Sequence, residues 1–511
     1  MAWRYQTVLL CICVTVLYIL DNTGAVPRVT TTEGEIHGVT TQVTVAGSSY
    51  NVHKYLAIPF AEPPVGDLRF KKPEARKAAL DSPFNATQFG PICPQIKVEG
   101  ERVVGIEDED CLYLNVYVPE RSADLASGHA VMIWIYGGAF LLGSSNTYEA
   151  PHLAAYGNVI YVTINYRVGP LGFLSTMNDN CPGNFGLWDQ RLAMQWVNRH
   201  IASFGGDVDR ITVFGQSAGA ISAVVHGMYP ENRGLLHRVI AQSGVAEVKF
   251  IDMKRDTLQL VHAIADNLGC SDNDPSEIID CMKKVTWEEY MDVINNMYLN
   301  PDNLLLMMFD PVVDGEMIKV DPKLLTEMSK EHNIEEVEFF QSLDLINGFC
   351  EFEGGVSMQF FSDDMNNFQP TQETMVIDLI PMANYVFYRK MFSPEVDRLI
   401  AHEYTNWSDP YNYEHIRVQY AAIHGDAGFS VPAVVTSRLH ASGGNDNSYM
   451  YTFLPVPTHR FPTTPDWLPG ADHGDETAYI QGIEKLAGIQ DWEIQLSYTL
   501  MTYWANFAKT G

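Results

Sequence analysis

Short apolar runs alternate with helical patterns in the middle third of the chain. Residues 130–136, 158–166 and 211–214 are rich in β-branched and aromatic side chains and predict buried strands. Between the last two runs, residues 187–200 carry apolar side chains at helical spacing. The order strand, helix, strand favours a parallel sheet flanked by helices, so the pattern indicates the α/β fold class.

The N-terminus has the layout of a secretory signal peptide. Arg4 precedes an apolar run over residues 7–20, and the small residues Gly24 and Ala25 follow it. We expect cleavage near Ala25. A run of about 14 residues is shorter than the roughly 20 that cross a bilayer, so we expect no stable membrane anchor. Without a repeat or linker to mark a boundary, residues 26–511 are predicted to form one domain.

Charge narrows the choice of partners. The chain has 511 residues, with 33 Lys and Arg against 63 Asp and Glu, a formal net charge of −30. A net negative charge repels phosphate backbones and anionic headgroups. We therefore do not expect nucleic acid to be a partner. Nothing in the sequence predicts the oligomeric state.

In an exported chain, cysteines can form disulfides and N-glycosylation sequons can be used. Six cysteines follow the signal peptide: Cys93, Cys111, Cys181, Cys270, Cys281 and Cys350. Proximity favours the pairs Cys93 with Cys111 and Cys270 with Cys281 in an oxidising compartment, although six cysteines allow fifteen pairings and spacing alone does not choose among them. Cys181 and Cys350 are left as free thiols. Asn85 and Asn406 begin N-x-Ser/Thr sequons and are candidate glycosylation sites.

A candidate nucleophile stands at the end of one predicted strand. Residues 211–214 lead into Gly215-Gln216-Ser217-Ala218-Gly219, and an apolar helical stretch follows over residues 221–225. Gly-x-Ser-x-Gly between a strand and a helix is typical of a nucleophile elbow, in which a tight turn lifts the Ser hydroxyl clear of the sheet. Ser217 is therefore the predicted nucleophile, although the bare motif also fits a turn with a capping serine.

A serine nucleophile needs a base, an acid to orient it and donors for an oxyanion. Gly137 and Gly138 follow a predicted strand and suggest such donors, with an ordinary strand-ending turn as the alternative. His473 lies in a flexible acidic loop near the end of the chain, and Glu353 follows the apolar stretch 343–349 on a Gly-rich turn, with Glu351 as its competitor. Other downstream histidines include His226, His237, His262, His332, His402, His424 and His459.

Two segments of the chain resemble the signatures of a known protein family. The run Glu109-Asp110-Cys111-Leu112-Tyr113-Leu114-Asn115-Val116 and the elbow around Ser217 resemble the two signatures of the type-B carboxylesterase and cholinesterase family. The similarity covers nearly all of residues 26–511 and implies an α/β-hydrolase fold with a central, mostly parallel sheet flanked by helices. Within the family, residues 136–141, 165–176, 242–246 and 504–511 most resemble its bile-salt-activated lipase branch.

Carried onto matching positions, the resemblance implies a mechanism. Ser217 would be the nucleophile, His473 the base and Glu353 the acid. Backbone N–H groups of Gly138, Ala139 and Ala218 would bind the oxyanion. The resemblance also supports the two disulfides. Such a mechanism needs no metal or organic cofactor, and no Cys or His cluster has ligand spacing.

Departures from the family pattern define the alternatives. Gln216 stands where the family usually has Glu, and Glu353 follows the broader family where the lipase branch has Asp. No Trp lies between Cys93 and Cys111, which argues against choline recognition because a quaternary ammonium binds an aromatic face. Family members that have lost the nucleophile act in cell adhesion, the main non-enzyme alternative.

The expected substrate is a small-molecule ester or lipid, foremost a fatty acyl ester. The alternative is a general short-chain carboxylesterase or a cholinesterase-like enzyme. The chain ends at residues that resemble the helix before a further C-terminal segment in the family. A fragment or a short isoform would end in this way.

Overall fold

The computed structural model describes residues 26–98, 103–120, 128–248, 253, 257–299, 309–360, 365–388, 391–461, 464–483 and 486–511. The signal peptide predicted over residues 1–25 lies outside the described residues. No helix within the described part of the chain is both long and apolar enough to cross a bilayer.

The strands form one large and one small sheet. They are β1 Arg28–Thr31, β2 Gly34–His37, β3 Val39–Val45, β4 Ser48–Pro59, β5 Phe84–Asn85, β6 Tyr113–Pro119, β7 His129–Ile135, β8 Ile160–Ile164, β9 Gly206–Gln216, β10 Arg238–Gln242, β11 Asp344–Cys350 and β12 Ser448–Phe453. The large sheet has nine strands in the order β12-β11-β10-β9-β7-β8-β6-β4-β3, and the small one has the order β1-β2-β5.

The large sheet is parallel except at one edge. Strands β12, β11, β10, β9, β7 and β8 pair in parallel, whereas β8 with β6, β6 with β4 and β4 with β3 are antiparallel. The connection from β8 to β9 passes β7, which lies between them. Parallel strands require helical crossovers on the sheet faces, and this arrangement confirms the predicted α/β fold class.

Helices flank the sheet. They are α1 Pro151–Gly157, α2 Gly169–Phe173, α3 Phe185–His200, α4 Ala218–Gly227, α5 Leu258–Leu268, α6 Pro275–Met282, α7 Trp287–Tyr298, α8 Pro322–Met328, α9 Glu335–Gln341, α10 Gln372–Thr374, α11 Ile380–Tyr388, α12 Pro394–Tyr404, α13 Tyr413–Gly425, α14 Val431–Ala441, α15 Thr477–Gln481 and α16 Asp491–Thr510. π-helical turns join α10 to α11 over Met375–Leu379 and α13 to α14 over Asp426–Ser430.

Burial on both faces explains why the central strands could be predicted from the sequence. Every residue of β7 and of β8 is buried, as expected for parallel strands covered by helices. The predicted runs coincide with β7, β8 and the second half of β9, and the predicted helix coincides with α3. Trp134 on β7 packs edge-on against Phe214 on β9, with ring centroids 5.0 Å apart.

Both predicted disulfides are present. Cys93 is bonded to Cys111 and Cys270 to Cys281. Cys181 and Cys350 are buried free thiols. Burial raises the pKa of Cys181 to about 12, so this thiol has little thiolate character at neutral pH.

Candidate active site

Four loops at the carboxyl edge of the large sheet bring the predicted site residues together. The loop after β7 carries Gly138 and Ala139, and the turn after β9 carries Ser217. Glu353 follows β11, and His473 lies in the segment after β12. Because parallel strands end at the same edge, these five residues lie at the edge of the sheet where open α/β folds bind ligands.

The turn at Ser217 has the geometry of a nucleophile elbow. Ser217 has φ 57° and ψ −124°, a conformation that costs a non-glycine residue about 1–3 kcal/mol. Its backbone N–H donates to the Gln242 carbonyl of β10 at 2.9 Å. A Cβ at Gly219 would overlap the carbonyl oxygen of Ile135 on β7, and the same oxygen blocks a Cβ at Gly215. Backbone crowding therefore requires both motif glycines.

The proposed oxyanion donors belong to two elements that border the nucleophile: a Cβ at Gly137, the residue before Gly138, would come within 2.9 Å of the Ser217 Cβ. Gly138 and Ala139 both have positive φ, 113° and 54°, in the turn that follows β7. Ala218 is the first residue of α4, so its N–H has no acceptor within the helix. A positive helix N-terminus also favours developing negative charge beside Ser217.

His473 and Glu353 form a tight pair. Nδ1 of His473 lies 2.5 Å from Oε2 of Glu353, and Oε1 of Glu353 accepts a bond from the Cys350 backbone N–H at 2.6 Å. Glu353 is fully buried and its φ is 26°. The competitor Glu351 is exposed at the end of β11. The sequence prediction therefore selected the carboxylate that meets the histidine.

The second ring nitrogen of His473 has a different partner from the one a triad needs. Nε2 of His473 lies 3.1 Å from Nε2 of Gln216, the residue before the nucleophile. Among the hydrogen bonds of the described residues, none joins Ser217 Oγ to His473. In unliganded enzymes such catalytic bonds are often long and tighten only with substrate.

Buried acidic side chains hold the loop of His473 in place. Asp475 Oδ2 accepts from the Asp472 backbone N–H at 2.8 Å, and Asp472 Oδ2 accepts from the Thr464 hydroxyl at 2.8 Å. Asp472, Asp475 and Glu476 are all buried. The sequence predicted a flexible acidic loop, and the structure shows that its acidic side chains are buried and take part in hydrogen bonds.

A further network lies behind the catalytic pair. Glu476 accepts from the Gln242 amide at 3.1 Å and from the Cys350 thiol at 3.1 Å. Gln242 in turn accepts from the Trp504 indole at 3.1 Å. Sequence reasoning missed these supporting residues, and the acidic run around His473 was the signal that could have found Glu476.

Burial and neighbouring charges shift the pKa values of the site. Burial alone would lower the pKa of His473, but the Glu353 carboxylate outweighs it and raises that pKa above 6.5. Burial raises the pKa of Asp475 to about 7 and raises the pKa of Glu476, which Glu353 raises further. The acidic groups of this cluster therefore keep their protons to higher pH than exposed carboxyl groups do.

The two sequons differ in exposure. Asn85 is exposed on β5, and its Oδ1 accepts from the Thr87 hydroxyl at 2.8 Å. Asn406 is half-buried, and its Nδ2 lies 3.1 Å from Nδ1 of His415. Glycosylation at both positions stays a prediction.

A mostly parallel sheet with a serine elbow at the carboxyl end of a central strand defines the α/β-hydrolases. More narrowly, the chain belongs to the Carboxylesterase family, whose sequence profile matches residues 25–511.

Curated relatives from different branches are equally similar to the chain. It is 33% identical to Bile salt-activated lipase of Bos taurus over 503 residues, which covers 94% of this chain and 78% of the relative. It is also 33% identical to Liver carboxylesterase 1F of Rattus norvegicus, covering 96% and 87%. Neuroligin-2 of Mus musculus is again 33% identical, covering 95% of this chain and 60% of the relative. Overall similarity therefore shows the family without choosing an activity.

Proposed function

We propose that the chain is a secreted serine hydrolase of carboxylic esters, with Ser217 as nucleophile, His473 as base and Glu353 as acid. One observation carries the proposal: the Glu353–His473 pair lies at the sheet edge where the strained Ser217 elbow also ends. This combination is what acyl transfer from an ester needs.

The proposed chemistry proceeds through an acyl-enzyme. His473 Nε2 takes the proton of Ser217 Oγ as the oxygen attacks the ester carbonyl, and Glu353 stabilises the imidazolium. Backbone N–H groups of Gly138, Ala139 and Ala218 bind the oxyanion, each contributing about 3 kcal/mol in sites of this kind. The imidazolium returns its proton to the leaving alcohol. Water then attacks the acyl-serine by the same route and releases the acid.

Fatty acyl and other lipid esters are the proposed substrates. The motifs that resemble the lipase branch and the similarity to Bile salt-activated lipase support this choice. Similarity to Liver carboxylesterase 1F at the same identity supports a general short-chain carboxylesterase as the alternative.

A non-catalytic binding protein is the second candidate. Two observations favour it: the equal identity to Neuroligin-2, and the contact of His473 Nε2 with Gln216 rather than with Ser217. The spatial pairing of His473 with Glu353 favours the enzyme, because a binding protein has no use for an oriented base.

The deciding experiment is hydrolysis of p-nitrophenyl butyrate by the purified protein, with a fluorophosphonate probe to label the nucleophile. We expect turnover and labelling in the wild type, and a loss of kcat of at least about a thousandfold with no labelling in Ser217→Ala. Ser49→Ala at the exposed start of β4 is the matched control and should keep both. A folded wild type that neither hydrolyses the ester nor reacts with the probe would refute the esterase proposal and favour the non-catalytic binding protein.

Substrate class is tested separately with short-chain p-nitrophenyl esters, a long-chain triglyceride and a cholesteryl ester, each with and without bile salt. Hydrolysis of the long-chain lipids supports the lipid-ester proposal. Activity confined to short soluble esters supports the general carboxylesterase.

Secretion is part of the proposal. The predicted signal peptide and the two disulfides support an oxidising, extracellular destination. Recovery of the mature chain from culture medium, beginning near residue 26, is the expected outcome on expression of the full sequence.

A further inference from the structure

Gln216 occupies the space between the oxyanion loop and the loop of the base. Its side chain is 8% exposed, and its amide Nε2 lies 3.1 Å from Nε2 of His473. Neighbouring glycines leave room for this amide. A Cβ at Gly137 would come within 3.0 Å of Gln216 Oε1, and a Cβ at Gly474 within 3.1 Å of Gln216 Nε2.

The chemistry of the contact defines which protons take part. Nδ1 of His473 faces the Glu353 carboxylate, so Nδ1 carries a proton in the neutral ring. Nε2 is then an acceptor, and it faces an amide nitrogen that has two N–H groups. The amide of Gln216 therefore donates to the lone pair that must later receive the Ser217 proton.

The charged groups around His473 are acidic. Glu353, Asp472 and Glu476 all favour the imidazolium, and Phe429 packs on the ring with centroids 4.6 Å apart. Asp475 lies next to them in the same buried cluster. Gln216 is the neutral polar group on the opposite side of the ring from Glu353.

We propose that Gln216 is a positioning residue of the base: its amide donates to Nε2 of neutral His473 and keeps a further carboxylate away from that nitrogen. The inference rests on the proposed function, in which His473 is the base. A glutamate at position 216, the residue that the family usually has, would favour a proton on Nε2 and raise the pKa of the base.

The test compares pH profiles of kcat/KM for p-nitrophenyl butyrate. In Gln216→Glu we expect the midpoint of the acid limb to rise by about one unit or more, because an opposite charge this close favours the imidazolium. In Gln216→Met the amide donor is lost without a new charge, and we expect a smaller rise of about half a unit. Gln42→Glu on the exposed face of β3 adds the same charge far from the site and should leave the profile unchanged.

A second readout does not depend on turnover. The downfield imidazole N–H proton resonance of His473, assigned by its loss in His473→Gln, reports titration of the ring by NMR. Its midpoint should follow the same order, with wild type lowest, Gln216→Met next and Gln216→Glu highest.

The outcomes separate the two proposals. If the wild type neither hydrolyses nor labels, the esterase proposal fails, while the NMR titration still tests the contact. If the wild type is active and the acid limb of Gln216→Glu has the same midpoint as that of the wild type, the inference about Gln216 is overturned. A rise in Gln216→Glu alone, with Gln216→Met unchanged, refutes donation by the amide. Melting curves show whether each variant is folded.

Discussion

At the scale of single residues, the Glu353–His473 pair has the clearest consequence. Glu353 is fully buried, yet its two oxygens are held by the Cys350 N–H and by His473 Nδ1. Each acceptor of the carboxylate thus meets a donor, which offsets the cost of burying a charge. The pair orients the ring and fixes the proton on Nδ1.

Glu353→Gln should reduce kcat by about a thousandfold or more, because the amide no longer stabilises the imidazolium and favours the wrong tautomer. The acid limb of the residual activity should move to lower pH, since Glu353 raises the pKa of His473. Steady-state kinetics from pH 5 to 9 measure both effects. Glu351→Gln, two residues away and exposed, is the control and should behave as wild type. Equal losses in both variants would contradict the assignment of the acid.

Residue-scale prediction worked where chemistry is local. Ser217 could be found because its turn leaves a short motif in the chain. Glu353 and Glu351 are two positions apart on similar turns, so only the family resemblance chose between them before the structure was known. Glu476 and Gln242 have no local signature, because their role depends on burial.

At the scale of elements, strand β7 and the β9–α4 turn interlock. The motif glycines Gly215 and Gly219 lie against the carbonyl of Ile135, and Gly137 lies against the backbone of Gln216. These contacts leave no room for side chains. The position of the oxyanion loop relative to the nucleophile is therefore fixed by backbone packing.

Gly219→Ala should destabilise the fold by more than about 3 kcal/mol and abolish activity, because the added Cβ overlaps rigid backbone at Ile135. Gly227→Ala in the same helix is the matched control. A Cβ there meets only side-chain atoms of Leu343, Phe340 and Val239 at 3.3 Å, so its cost should be about 1 kcal/mol or less. Melting curves and probe labelling distinguish the two. Similar stability of both variants would show that the elbow is less crowded.

Elements were predictable where burial is complete. Strands β7 and β8 are apolar throughout because helices cover both faces. The first half of β9 is only partly buried and was missed, since its alternation of charged and apolar residues is weak. The order of the strands could not be predicted from the sequence either. Strand β7 lies between β8 and β9, and this pairing depends on contacts between residues distant in sequence.

At the scale of the whole molecule, the C-terminal helix α16 is tied to the site region. Glu493 Oε1 accepts from the Thr458 N–H at 2.9 Å and from the Tyr479 hydroxyl at 2.8 Å. Its Oε2 accepts from the Thr458 hydroxyl at 2.6 Å and from the Gln490 N–H at 3.0 Å. Further along the same helix, Trp504 bonds to Gln242 beside the nucleophile strand.

Glu493→Gln should destabilise the protein at pH 7 by about 2 kcal/mol or more, because several donors lose a charged acceptor. Burial opposes ionisation of Glu493, but its hydrogen bonds outweigh that and lower its pKa to about 2 from 4.5. The stabilisation is therefore fully present above pH 4.5 and is lost as pH falls towards 2. The difference in Tm from wild type should shrink over that window. Exposed Glu331→Gln is the control, and a difference independent of pH would refute this role of the charge.

Patterns in the sequence were enough to predict the fold class and the family, and together with the family resemblance they predicted both disulfides and the residues proposed for catalysis. Those conclusions depend on local patterns: apolar periodicity, a glycine-flanked serine and segments shared with a family. The burial of the acidic loop, the support that Glu476 gives to the site and the contact of Gln216 with His473 appear only in the folded chain. Each of these depends on residues far apart in the chain, such as 216 and 473, whose contact exists only after the sheet has assembled.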